Sequence, residues 1–117
     1  MTVREIAKLL NADVLCCEDL VDKIEITSAF ASDMMSDVLA YVKDQGVLVT
    51  GLVNPQVVRT AEMMDITCIV FVRGKRPMDS MLELAKQKNI VLLSTQDRMF
   101  PACGKMYKAG LNEGQLL

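Results

Sequence analysis

The chain of 117 residues has no histidine and no tryptophan, and its aromatics are three Phe and two Tyr. Lack of histidine removes the commonest general base and a common metal ligand. With aromatics at 4%, the core has to be aliphatic, filled by Val, Ile, Leu, Ala and nine Met. Positive charge is not in excess: the net charge is −2 and the pI about 5.1. That balance argues against nucleic acid as the main partner, because affinity for a phosphate backbone comes from clustered Lys and Arg. No apolar run approaches the roughly 20 residues that a membrane helix needs. The opening MTVREIAKLL has no apolar h-region, so a secretory signal is not expected. The signatures G-x-x-x-x-G-K-[ST], G-x-G-x-x-G and G-x-S-x-G are all missing. These absences predict a cytoplasmic protein that is not an enzyme and carries no cofactor.

Four cysteines are present: Cys16, Cys17, Cys68 and Cys103. No pair has C-x-x-C spacing, adjacent cysteines rarely bridge each other, and no His can complete a metal site. They read as reduced, mostly buried thiols, with no metal bound. A redox role for the exposed member of the Cys16–Cys17 pair is the lesser alternative.

What the chain does have is alternation of helix and strand. Thr2 and Glu5 form a capping box before a helix over 3–10, with Asn11 as its stop. Residues 12–16 are short and β-prone, 18–23 read as a turn, and Ile24, Ile26 and Ala29–Phe30 suggest a second extended stretch. A helix over 32–44, with Met35, Leu39 and Val42 on one face, is predicted to end at Gly46. Val47–Thr50 is a strand, 51–54 a turn, and Asn54-Pro55 the start of a helix over 55–64. That helix turns Val57, Val58, Ala61 and Met64 inward. Cys68–Val72 is a strand, 73–76 a loop, and Pro77 opens a helix over 77–88. Ile90–Ser94 is the last strand, followed by a helix over 97–109 capped by Asp97, with Pro101 in its first turn. The last three strands are nearly all apolar and separated by helices of about ten residues, the pattern of a parallel sheet covered on both faces. The first half has shorter connections and is expected to add antiparallel or mixed strands.

In such a sheet, ligands collect at the carboxyl ends of the strands. Those ends carry Thr50 and Gly51, then Arg73, Gly74, Lys75 and Arg76, then Ser94 and Thr95, with Asn54 at a helix start. Helix N-termini offer free N–H groups and partial positive charge, so this set could hold a phosphate or nucleotide; simple turn chemistry explains the same residues. The pairs Asp33/Asp37 and Glu62/Asp65 are read as solvated surface. The methionines read as core filler or as an adaptable interface, notably Met34, Met35, Met63, Met64, Met78 and Met81.

The ordered segments REIAKLLNADVL (4–15), MSDVLAYVKDQGVLVTG (35–51), NPQVVRTAEMMDITCIVFVRGKRP (54–77) and IVLLSTQDRMFPACGKM (90–106) resemble the DRTGG domain family. The resemblance spans residues 1–111 and leaves 112–117 as a polar tail. The Asp-Arg-Thr-Gly-Gly string that names the family is itself absent: Leu52-Val53-Asn54-Pro55 and Val72-Arg73-Gly74 stand where relatives carry its parts. The resemblance implies a three-layer α/β/α fold with a mainly parallel central sheet, similar to MurF and to the N-terminal domain of HPr kinase/phosphorylase. It also implies an accessory, regulatory or oligomeric role without assigned catalytic residues. A kinase activity is not implied, because no phosphate loop is present. The leading expectation is a non-catalytic, stand-alone regulatory or assembly domain that forms a homodimer, with a separately encoded enzyme as a further candidate partner. The alternative is a sensor of a nucleotide or phosphorylated metabolite at the strand ends. Neither nucleic acid nor a membrane is expected as a partner.

Overall fold

A computed structural model describes residues 1–42 and 46–112. The fold begins as the capping box requires. Thr2 Oγ1 accepts the Glu5 amide at 3.2 Å, the Glu5 carboxylate accepts the Thr2 amide at 2.9 Å, and α1 (Val3–Leu9) follows. Then come β1 (Asp13–Val14), a 3₁₀ turn (Glu18–Leu20), β2 (Ser28–Ala31), α2 (Met35–Tyr41) and β3 (Gly46–Thr50). The second half alternates strictly: α3 (Pro55–Met63), β4 (Cys68–Phe71), α4 (Asp79–Gln87), β5 (Val91–Ser94) and α5 (Met99–Lys108).

One five-stranded sheet has the order β1-β5-β4-β3-β2; β2 through β5 are parallel and β1 runs antiparallel beside β5. Each parallel strand is added on the same side of its predecessor. Right-handed crossovers therefore place α2, α3 and α4 on one face, and α1 and α5 cover the other. The period-2 alternation of strand side chains feeds both layers. Val47, Val49, Cys68, Val70, Val91 and Leu93 pack with α1 and α5, whereas Leu48, Ile69, Phe71 and Leu92 pack with α2, α3 and α4. Burial of each such Val, Ile, Leu or Phe stabilises the fold by about 1.5–3 kcal/mol. This is the expected three-layer α/β/α architecture with a mainly parallel sheet.

Several boundaries differ from the sequence reading for identifiable reasons. The second helix starts at Met35, not at 32, because Ser32 and Asp33 spend their side chains elsewhere: Ser32 Oγ accepts the Met34 amide at 3.0 Å and the Asp33 carboxylate reaches β3. Its expected end, Lys43 and Asp44, lies outside the described residues. Its inward face is Met35 and Val38; Leu39 is exposed. Gly46 is not a helix stop but the first residue of β3, where a Cβ would come within 2.8 Å of Ser28 Oγ on the neighbouring strand. Ile24 and Ile26 bond to the chain start and not to the sheet, through the Val3 amide to Ile24 O (3.2 Å) and the Ile26 amide to Met1 O (2.7 Å). The fourth helix is capped by Met78 and begins at Asp79, past Pro77. Arg98, not Asp97, is the N-cap of α5; Asp97 instead accepts Lys105 Nζ at 2.8 Å. Met35 and Met81 are core residues, which leaves Met34, Met63 and Met78 as the exposed members of the methionine set.

Candidate functional site

The carboxyl ends of β2, β3, β4 and β5 lie along one edge of the sheet, so the residues singled out there are brought together by topology. Most of their hydroxyls are already engaged. Thr50, fully buried, donates through Oγ1 to Asp33 Oδ1 at 3.0 Å and accepts the Leu52 amide at 3.1 Å. The Gly51 amide donates to the same Asp33 oxygen at 2.7 Å. Ser94 Oγ donates to the Lys75 carbonyl at 2.7 Å, and Thr95 Oγ1 to the Leu10 carbonyl at 2.8 Å. Asn54 Oδ1 accepts the Gln56 amide at 2.7 Å and caps α3. No buried side-chain polar atom among the described residues lacks a partner.

The basic loop divides its cations. The Arg76 guanidinium pairs with the Asp13 carboxylate on β1. Lys75 is exposed. Arg73 adopts a left-handed backbone (φ 60°), as does Gly74 (φ 66°). The pair is held by two backbone bonds of 2.8 Å, from the Arg73 amide to Asp97 O and from the Gly74 amide to Thr95 O. That pinning turns the Arg73 guanidinium across to β3, where it lies so close to Gly51 that a Cβ there would collide with Nη2. Arg73 makes no ion pair among the described residues. The N-caps of α4 and α5, Met78 and Arg98, make no side-chain cap bond. Their first-turn amides face this edge without a side-chain acceptor, in the manner of helix ends that receive anions.

Asp33 is the residue the sequence reading missed. It is exposed, as expected, but lies ahead of α2 and not on it; it joins the end of β2 to the end of β3 and occupies the Gly51 amide that an anion would otherwise use. The available signal was two cap-type residues in a row, Ser32 and Asp33, ahead of the helix.

Three of the four thiols are pushed away from the nucleophilic thiolate form. Burial, and then the neighbouring Cys16, push the Cys68 thiol far up; Cys68 is fully buried. Burial likewise raises Cys17, to about 11, and Cys103. Cys16 Sγ lies 3.3 Å from the Ile90 carbonyl as a donor. No cluster of three His, Cys, Asp or Glu suited to a metal occurs among the described residues, and none of their helices is long and apolar enough to cross a membrane. On the α1 side an open groove of about 220 Å³ is lined by Arg4, Lys8, Asn11 and Val21 among others, with Arg4 Nε held by Asp22 at 2.6 Å.

Comparison with known proteins follows the fold. A protein-family profile described as the DRTGG domain matches residues 5–109. No curated protein matches the chain. Among solved structures, the chain is similar to the CBS and DRTGG domains of the regulatory region of Clostridium perfringens pyrophosphatase, complexed with its activator diadenosine tetraphosphate. The TM-score is 0.73 at 16% identity, over 99% of this chain and 52% of that one, so this chain spans about half the length of that regulatory-region chain.

Proposed function

The chain belongs to the DRTGG domain family, and on that premise we propose that it is a non-catalytic regulatory domain that acts through assembly, as a homodimer, on a separately encoded enzyme. One observation carries the assembly reading. Of only five aromatic residues, three Phe and two Tyr, three are on the surface: Tyr41, Phe100 and Tyr107. Met34, Met63 and Met78 are exposed with them. A chain with so little aromatic surface that leaves most of it in water has the composition of an interface, where Tyr, Phe and Met are enriched. The chemistry points away from catalysis in the same direction: no His, and burial that raises the Cys17, Cys68 and Cys103 thiols. Sedimentation across micromolar concentrations tests the reading; a dimer at the upper end supports it, and a monomer throughout refutes it.

A second reading is favoured by Arg73, which makes no ion pair among the described residues and lies over Gly51: a nucleotide or phosphorylated metabolite bound at the carboxyl edge. Arg73 would take a phosphate, with Thr50, Gly51, Asn54, Gly74, Lys75, Ser94 and Thr95 framing it and Arg76 held aside by Asp13. The neighbour's own complex holds a dinucleotide. A thermal-shift screen with adenine nucleotides tests it, since a ligand at a hundredfold excess over Kd adds about 2.7 kcal/mol. A saturable shift that disappears in Arg73→Ala supports this reading, and a flat screen removes it.

A further inference from the structure

Cys16 and Cys17 are neighbours in the chain, and the fold brings their sulfurs together. Along an extended strand successive side chains point to opposite faces, so adjacent residues do not meet. Cys17 breaks that alternation just after β1: its backbone is left-handed (φ 58°, ψ 39°) at the start of the 3₁₀ turn Glu18–Leu20. Such a backbone costs a residue with a side chain about 1–2 kcal/mol, and the Cys17 side chain makes no cap bond in return. Its thiol is instead hydrogen-bonded with that of Cys16. Cys16 is buried, with Sγ 3.3 Å from the Ile90 carbonyl, whereas Cys17 is half-buried and open to small reagents.

We propose that Cys16 and Cys17 form a two-sulfur capture site for trivalent arsenic. The inference is independent of the homodimer and nucleotide readings. A direct bond between the two sulfurs is disfavoured, because adjacent Cα atoms lie about 3.8 Å apart across a trans peptide and disulfides ordinarily span about 4.4–6.8 Å. An atom set between the sulfurs removes that conflict. Two bonds of about 2.3 Å, the zinc–thiolate value, reach sulfurs roughly 3.5–4 Å apart, close to the spacing of hydrogen-bonded thiols. No three-ligand set of His, Cys, Asp or Glu stands among the described residues, so the site suits a soft centre that two thiols satisfy and not tetrahedral zinc. An arsenoso group meets that need. Two As–S bonds form, the As=O bond and both S–H bonds break, and one water leaves with both thiol protons. Arsenic stays trivalent, so no oxidant or reductant is required. Cys17 binds first from the open side, and Cys16 closes the ring by giving up its weak S–H donation to Ile90.

The test titrates the reduced full chain with phenylarsine oxide and reads uptake by intact mass, alongside Cys16→Ala, Cys17→Ser and Cys103→Ser. The expected result is one phenylarsenic group per native chain, mapped to residues 16 and 17. A small dithiol should release it and an excess of monothiol should not. Loss of either sulfur turns a chelate into a single bond, so Cys16→Ala and Cys17→Ser should each raise the Kd about a hundredfold or more, and Cys103→Ser should leave it unchanged. Cys17 is not a core residue, so Cys17→Ser decides the matter if Cys16→Ala does not fold. No uptake by the folded wild type, uptake that monothiol reverses, or a Kd unchanged in Cys17→Ser overturns the site.

Discussion

Thr95 was singled out as a ligand-contacting hydroxyl, yet the structure employs that hydroxyl between distant parts of the chain. It donates to the carbonyl of Leu10 at 2.8 Å and accepts the Asp97 amide at 3.2 Å, with Thr95 only 1% exposed. Leu10 is the C-cap of α1, whose final carbonyls have no helical partner. Thr95→Val keeps the shape and opens no cavity, so its cost is electrostatic. A buried carbonyl loses its donor, and a part-buried amide loses its acceptor. A buried polar group left unsatisfied costs about 1–3 kcal/mol. For a domain near this size, about 4 °C of Tm per kcal/mol converts that to a fall of roughly 4–12 °C. Urea unfolding should show a lower midpoint with an unchanged slope, and Thr95→Ser, which retains the hydroxyl, should stay near wild type. If Thr95→Val unfolds within about 0.5 kcal/mol of wild type, the margin of an ordinary surface change, the tether is energetically idle and the reasoning fails.

Gly51→Ala should be neutral or stabilising by about 0.4–1 kcal/mol, because Gly51 is not among the positive-φ glycines and the atoms nearest its new methyl belong to the flexible tip of Arg73. A loss of binding at the strand ends without a loss of stability would identify Arg73 as the displaced contact, and a large destabilisation would contradict the packing described. For the thiols, Cys17 at about 11 leaves roughly one molecule in a thousand as thiolate at pH 8, so reaction with a thiol reagent should be slow and should quicken about tenfold per pH unit. Cys68 should react only after unfolding, and rapid native labelling of it would refute its place in the core. The Thr2 amide and hydroxyl hold Glu5 below its ordinary value, and the Arg4 hydrogen bond holds Asp22 below its own. A carboxylate depressed in the folded state adds stability above its unfolded pKa and loses it as pH falls through the folded one. Stability should therefore decline below about pH 4, in the carboxylate range. Asp22→Asn should make that decline shallower, and an identical pH profile for the variant would show that the pairing carries no weight.

The family and the layer order were legible because they depend on local patterns repeated along the chain. Apolar runs such as Val47–Thr50, Cys68–Phe71 and Val91–Ser94 are too uniformly buried for a one-faced sheet, and ten-residue amphipathic helices between them fix parallel crossovers. The caps at Thr2 and Asn54 were readable for the same reason: a cap is a contact between residues two or three apart.

The candidate edge was legible as a position in the fold but not as chemistry. Sequence placed Thr50, Arg73, Ser94 and Thr95 at strand ends; which of their groups remain free depends on partners 17 to 85 residues away, namely Asp33 for Thr50, Asp13 for Arg76, Lys75 for Ser94 and Leu10 for Thr95. No short-range signal encodes those pairings. The sequence by itself determined the alternation of elements, the aliphatic core and the absence of a histidine-based site, because these follow from composition and period. Only the tertiary structure decided that Asp33 serves β3 and not a helix surface, that Arg73 alone among the loop arginines lies over the strand ends, and that Phe100 and Tyr107 face water. Each of those outcomes is set by which segments the sheet order brings side by side, and that order is a long-range property of the folded chain.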